Sequence, residues 1–192
     1  MRIVGVVVIG GLGRSLLGLR ELVSPKIQGL PLVERGLGVL ASIGIEERLL
    51  LLASEQLEHF EVPLGACAIA FDAGESPRDR LAGLAALAEG AEVIFLLISD
   101  GSAATPARLW ALLEALSEGA ELAYLSASLD GRSAESAPSA MALSSVTLDR
   151  ALRGWGQGSP GSLVDWAKAS ELEVRCCEDE ASGEPPISRS AQ

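Results

Sequence analysis

Apolar positions along the chain follow two alternating periods. Residues 2–9 (Arg2-Ile3-Val4-Gly5-Val6-Val7-Val8-Ile9) are a nearly unbroken Val/Ile run, the pattern of a strand buried on both faces. Similar short runs recur at 47–53, 66–71, 92–98, 121–127 and 172–177. The run Glu92-Val93-Ile94-Phe95-Leu96-Leu97-Ile98 reads as the most central strand.

Helical spacing fills the intervals. Pro31 suits a first turn, and Leu32, Val33, Leu37, Leu40 and Ile43 then recur along one stripe that ends at Gly44. A short helix over 54–60 takes Ser54 as its N-cap, with Leu57 and Phe60 on one face. Ser76-Pro77 opens a helix with Leu81, Leu84, Ala85 and Leu87 inward, closing at Gly90. Thr105-Pro106 opens another by the same device, with Leu109, Leu112, Leu113 and Leu116 apolar and Gly119 at its end. Two further helices are predicted from Ser144/Ser145 to Trp155 and from Ser159 to Ala169. Residues 10–30 read as a long loop with a helical turn near Leu16 to Leu22, and residues 128–138 as a polar loop. Strands that alternate with helices imply an α/β fold: a mostly parallel sheet with helices on both faces. One domain over 1–178 and a loose acidic, Ser/Pro-rich tail over 179–192 complete the expected organisation.

Composition narrows the partners. Hydrophobic residues make up 48% of the 192 positions and aromatics only 4%, so the core must be built from Leu, Val, Ile and Ala. The net charge of −11 repels a phosphate backbone and argues against sequence-independent nucleic-acid binding. Any nucleotide must meet a local cluster of cations. Cys67, Cys176 and Cys177 have no metal-ligand spacing and are expected as buried thiols in a reducing compartment. No apolar stretch is long enough to span a bilayer. The expectation is a cytoplasmic protein without a membrane partner.

In parallel sheets, ligands sit beyond the carboxyl ends of the strands. Two glycine segments follow such ends. After strand one comes Gly11-Leu12-Gly13-Arg14, then Lys26, one of two lysines in the chain. Glycine lets a backbone come close to a ligand, and arginine offers a fork of donors suited to phosphate. The segment lacks the Gly-Lys-Ser/Thr ending of a P-loop and the Gly-x-Gly-x-x-Gly spacing of a dinucleotide site. By itself it leaves a plain glycine connection open. Asp100 follows the 92–98 strand in a glycine turn. A carboxylate there can hold Mg²⁺ or bond its own backbone. Lys26 can neutralise charge on a transferring phosphoryl group or stand solvated in a loop. Arg78, Asp79 and Arg80 suit a solvated helix start, His59 a helix end, and Trp110, Trp155 and Trp166 packing positions. Cys176 and Cys177 on one strand face opposite ways.

Taken in order, these segments resemble a known family. They are Gly11-x-Gly13-Arg14, Ser24-Pro25-Lys26, Gly29-Leu30-Pro31-Leu32-Val33-Glu34, Arg78-Asp79-Arg80-Leu81-x-Gly83-Leu84, Val93 to Asp100, Thr105-Pro106 and Ser162-Leu163-Val164-Asp165. The order resembles 2-C-methyl-D-erythritol 4-phosphate cytidylyltransferase, a nucleotidyltransferase of the non-mevalonate isoprenoid pathway. The resemblance implies a three-layer Rossmann-like fold of the nucleotide-diphospho-sugar transferase kind. It implies transfer of CMP from CTP to methylerythritol phosphate, a small phosphorylated sugar alcohol, with release of pyrophosphate. Arg14 and Lys26 would grip the triphosphate, with Gly11 and Gly13 close to it. Asp100 would hold Mg²⁺, and Arg78 and Asp79 would lie near the nucleotide.

The chain departs from the family at several points. The family has one more residue between the second glycine and the arginine, and its arginine and lysine stand closer together. Ser99 replaces a histidine, Gly101-Ser102-Ala103-Ala104 replaces Ala-Ala-Arg-Pro, and Pro186-Ile187-Ser188 replaces Lys-Ile-Thr. The arm that pairs subunits, around 127–138, is short, which implies a monomer or weak homodimer. Each lost charged partner of a phosphate is worth on the order of 2–4 kcal/mol. The nucleotide half is therefore better kept than the acceptor half. An inactive relative retained as a nucleotide-binding or protein-interaction module is the alternative.

Overall fold

The computed structural model describes residues 1–9, 30–57, 61–72, 75, 77–98, 104–126, 138–154 and 162–177. The strands are β1 (Ile3–Val8), β2 (Glu47–Ala53), β3 (Cys67–Phe71), β4 (Val93–Ile98), β5 (Leu122–Ser126), β6 (Pro138–Leu143) and β7 (Val174–Cys177). The helices are α1 (Leu30–Ser42), α2 (Ser54–Leu57), α3 (Pro77–Leu87), α4 (Pro106–Ser117), α5 (Ser145–Gly154) and α6 (Leu163–Ala169). The described strands form one sheet in the order β3-β2-β1-β4-β6-β5-β7. All neighbours pair in parallel except β6, which is antiparallel to both β4 and β5.

The expected α/β sheet with helices on both faces is present. Val4, Val6 and Val8 of β1 belong to one core with Leu81 and Leu84 of α3, Ala88 just past its end, Leu148 and Ala151 of α5, and Trp166 of α6. Val7 belongs to the other core with Val33, Leu37 and Leu40 of α1 and Leu109, Leu112 and Ala115 of α4. Burying each large apolar side chain contributes roughly 1.5–3 kcal/mol, so a strand fully buried on both faces is the main anchor of the sheet.

Gly5 lets α1 settle onto β1. A methyl group at position 5 would lie 2.7 Å from Leu40 Cδ1 and 3.2 Å from Leu40 Cγ, and Leu40 is itself fully buried. The leucine fills the place where any other residue would carry its side chain. α1 ends where the sequence places its stop, with Gly44 at φ 83°, a left-handed conformation that glycine adopts without strain.

Arg2 clamps the amino ends of the strands. Its Nε donates to Glu47 Oε1 at 2.9 Å and its Nη2 to Glu47 Oε2 at 2.7 Å. Nη1 also donates to the Glu89 carbonyl. The Glu92 backbone amide donates to the Arg2 carbonyl at 2.9 Å. Two further ion pairs, Arg150–Glu121 and Arg175–Glu118, stand at the same edge beside β5 and β7.

Several expectations are corrected. Residue 138 is not loop: Pro138 opens β6, a strand absent from the sequence reading, and all six residues of β6 are buried. Leu87 is 49% exposed, because the inward stripe of α3 runs through Leu81 and Leu84 and continues to Ala88, just past the helix end. Trp110 does not pack either. It lies on the outer face of α4 and is 55% exposed, whereas Trp166 is buried. Ser54 is the first residue of α2 rather than a cap before it, and its Oγ donates to Asp72 Oδ1 at 2.8 Å. α6 starts at Leu163, not Ser159, because Ser162 is extended and caps it: the Asp165 amide donates to Ser162 Oγ, and Ser162 Oγ donates to Asp165 Oδ2. The proposed turn at Leu16 to Leu22, the Ser76 cap, His59, Phe60, Trp155 and the 179–192 tail lie outside the described residues.

Two stability outcomes follow. Gly5→Ala forces Leu40 to move in a closed core and lowers unfolding stability by about 1–3 kcal/mol, measured by urea titration. Glu47 is held below the ordinary carboxylate range, chiefly by its hydrogen bond from Arg2. A depressed carboxyl contributes stability that is complete above its unfolded-state pKa and is lost as pH falls through the folded value. Glu47→Gln is therefore less stable than the parent at neutral pH, and the gap closes on acidification through the carboxylate range. A gap that stays constant with pH overturns the assignment.

Candidate functional site

The site is defined by the carboxyl edge of the sheet. β1 and β4 are parallel neighbours, with Val8 opposite Ile98. The segment that begins at Gly10 and the segment that begins at Ser99 thus leave strand ends one strand spacing apart, about 5 Å. Gly10 and Ser99 are 89 residues apart in sequence. Gly11, Gly13, Arg14, Lys26 and Asp100 themselves lie outside the described residues.

Arg78 and Asp79 stand in the first turn of α3. This helix follows β3, two strands from β1 in the sheet order, or roughly 10 Å across the edge. Asp79 is exposed there. The topology therefore brings the strand ends preceding the glycine segment and Asp100 side by side, and sets Arg78 and Asp79 further along the same edge.

The described residues add two features that the sequence reading did not name. The Ser54–Asp72 hydrogen bond ties the carboxyl ends of β2 and β3 together next to β1. On the other side of β4, antiparallel β6 begins at this edge, since Leu97 pairs with Ala140. Ser139, one residue before that pair, is buried and its Oγ donates to the Leu125 carbonyl at 3.5 Å, beside the register shift between Leu125 and Ser126. The signal for β6 in the sequence is the apolar stretch Ala140-Met141-Ala142-Leu143 ahead of the Ser144 cap.

The cysteines are not the buried thiols expected from composition. Cys67 and Cys176 are exposed, on the edge strands β3 and β7, and Cys177 is partly covered. Burial pushes the Cys177 thiol up, and neighbouring Cys176 adds to the effect. Cys177 packs against the core that contains α4, and its Sγ lies 3.8 Å from the Ala111 carbonyl. Among the described residues no three His, Cys, Asp or Glu side chains gather as a metal site. Among the same residues no helix is long and apolar enough to cross a membrane.

No protein-family profile and no curated protein matches the chain. Solved structures do. The manganese complex of Rv0371c from Mycobacterium tuberculosis is similar over 93% of this chain and 88% of its own, with a TM-score of 0.60 and 17% identity. The 4-diphosphocytidyl-2C-methyl-D-erythritol synthase of Anaerococcus prevotii is similar over 93% and 89%, with a TM-score of 0.59 and 12% identity. A CMP:2-keto-3-deoxy-manno-octonic acid synthetase complexed with CTP is similar over 93% and 90%, with a TM-score of 0.60 and 18% identity. The chain has the three-layer Rossmann-like fold of the nucleotide-diphospho-sugar transferases.

Thiol labelling of the folded protein with an aromatic disulfide reagent tests the cysteine assignment. Cys67 and Cys176 react in a fast phase and Cys177 in a slow one, because the thiolate is the nucleophile and burial disfavours it. Three equal rates overturn the placement of Cys177.

Proposed function

We propose that the protein is a nucleotidyltransferase that binds CTP with a divalent cation and transfers CMP to a small phosphorylated acceptor, 2-C-methyl-D-erythritol 4-phosphate or a close analogue. The observation that carries this reading is the pairing of β1 with β4, which starts the glycine–arginine segment and the Asp100 segment from adjacent strand ends. The fold shared with a 4-diphosphocytidyl-2C-methyl-D-erythritol synthase and with a synthetase complexed with CTP supports it.

In this reading Arg14 and Lys26 bind the triphosphate, and backbone at Gly11 and Gly13 approaches it. Arg78 and Asp79 line the nucleotide. Asp100 would hold Mg²⁺, an ion that takes one or two carboxylates together with phosphate oxygens and so needs no closed protein cage. When bound, the ion neutralises phosphate charge. The acceptor's phosphate oxygen attacks the α-phosphorus in line. The bond from that phosphorus to the α–β bridging oxygen breaks, and pyrophosphate leaves with the electron pair. The chain's residues contribute position and charge neutralisation rather than covalent chemistry.

A second reading, an inactive nucleotide-binding relative, is favoured by one feature: Ser102 to Ala104 and Pro186 to Ser188 hold no cation where the resembled family has an arginine and a lysine. Under both readings CTP with Mg²⁺ raises the melting temperature. Only transfer gives pyrophosphate release from CTP plus methylerythritol phosphate. Under transfer, Lys26→Ala lowers that release on the order of 10²-fold. Unchanged turnover removes the role given to Lys26, and nucleotide binding without release selects the second reading.

A further inference from the structure

The described sheet ends in two edge strands, β3 and β7. An edge strand presents backbone N–H and C=O groups with no neighbour, and proteins guard such edges with charge, proline or a bulge. β7 carries Arg175, which is paired with Glu118. β3 has no such guard. Its residues Cys67-Ala68-Ile69-Ala70-Phe71 include no charge and no proline, and they pair with β2 without a register shift. Cys67 is exposed, and Leu64 in the turn before it is fully exposed. In a chain of net charge −11, a second acidic molecule can approach here without local repulsion.

The two ends of this edge carry opposite charges. Asp72 follows β3 and is exposed, and Ser54 takes only its Oδ1. At the other end Arg48 of β2 reaches the turn before β3: its Nη2 stands 2.8 Å from where a Cβ on Gly65 would lie. The Arg48 Nε is buried with no hydrogen-bond partner, and no ion pair among the described residues engages this guanidinium. Leaving such a group uncompensated is costly. Leu50 and Leu52 of β2 and Ala68 of β3 belong to the core under α1. Strand alternation carries Arg48 and Asp72 to that same face.

A two-fold axis joins these observations. Two β3 edges paired antiparallel about Ile69 set Cys67 opposite Phe71 of the second copy. The same count sets Asp72 of one copy opposite Ala66 of the other, beside Gly65 and the Arg48 guanidinium. Opposed residues in an antiparallel pair share a face, and the symmetry makes the contact twice. We propose that the protein self-associates through its β3 edges into a two-fold dimer, in which Asp72 of each copy meets Arg48 of the other. Two five-residue strands make a small interface, so the dimer is of the weak, concentration-dependent kind.

The test is sedimentation equilibrium of the full chain in reducing buffer, where disulfides cannot join copies. The parent shows a monomer–dimer equilibrium. Cys67→Lys places an unpaired charge in the interface and weakens dimerisation about tenfold or more, whereas Cys176→Lys, on the exposed β7 edge, leaves it unchanged. Asp72→Asn and Arg48→Gln each weaken it about threefold. Their double variant is no weaker than either single one, the signature of direct coupling. A nitroxide on Cys67, with Cys176→Ser and Cys177→Ser, reads the register without touching the ion pair or β3. The two labelled backbones are offset by about 14 Å along the strands, four residues at roughly 3.4 Å each. Thermal unfolding checks that each variant is folded, and the label carries the test if Arg48→Gln is not. A parent that stays monomeric at every concentration overturns the proposal and leaves the edge to a different partner. Equal weakening by Cys67→Lys and Cys176→Lys, additive effects of Asp72→Asn and Arg48→Gln, or labels at another offset overturn it as well.

Discussion

The rest of the structure depends on β1 being enclosed on every side. It has β2 along one edge and β4 along the other, and a helical layer against each face. A strand so placed can carry almost nothing but small and branched apolar residues, which is why Ile3 to Val8 contains no polar side chain. Its one departure from bulk, Gly5, is the place where a helix comes closest. The arrangement turns a local composition into a three-dimensional constraint. Leu40 over Gly5 then fixes how closely α1 lies on β1.

Much of this was legible in the sequence, for a physical reason. Strands buried on both faces, such as β1 and β4, read as unbroken apolar runs, and proline- or glycine-bounded helices such as α1 and α4 announce their ends. β6 was missed because it is largely alanine, methionine and serine, residues of modest strand preference. Its strand state comes from being wedged between β4 and β5, not from its own composition. Leu87 and Trp110 were misjudged because apolar character does not reveal which way a helix is rotated; Ala88 and Leu109 take the inward positions beside them. The cysteines were misjudged because Cys67 and Cys176 fall on the outermost strands, a fact of sheet order that no window of sequence contains.

The candidate site divides along the same line. The residue types suited to phosphate and metal could be read directly: glycines, Arg14, Lys26 and Asp100. That the strand ends preceding them share one edge could be inferred from the parallel alternation. That β1 and β4 are direct neighbours could not, because it is decided by the chain crossing to β2 and β3 first and then returning past β1. The ionic seam at the opposite edge was equally invisible, since Arg2 meets Glu47 only through the β1–β2 pairing. Its location also matters for charge. In an acidic protein, the arginines clamped to Glu47, Glu121 and Glu118 are engaged away from the carboxyl edge.

The reversal at β6 has an evolutionary corollary. Because β5 runs one way and β6 the other, the chain departs from β5 and comes back to β6 on the same rim, next to the end of β4. For a connection between two such strand ends, length by itself changes stability only slowly. A scaffold of this order can therefore differ between descendants in the length of this one connection while the buried strands β4, β5 and β6 keep their places.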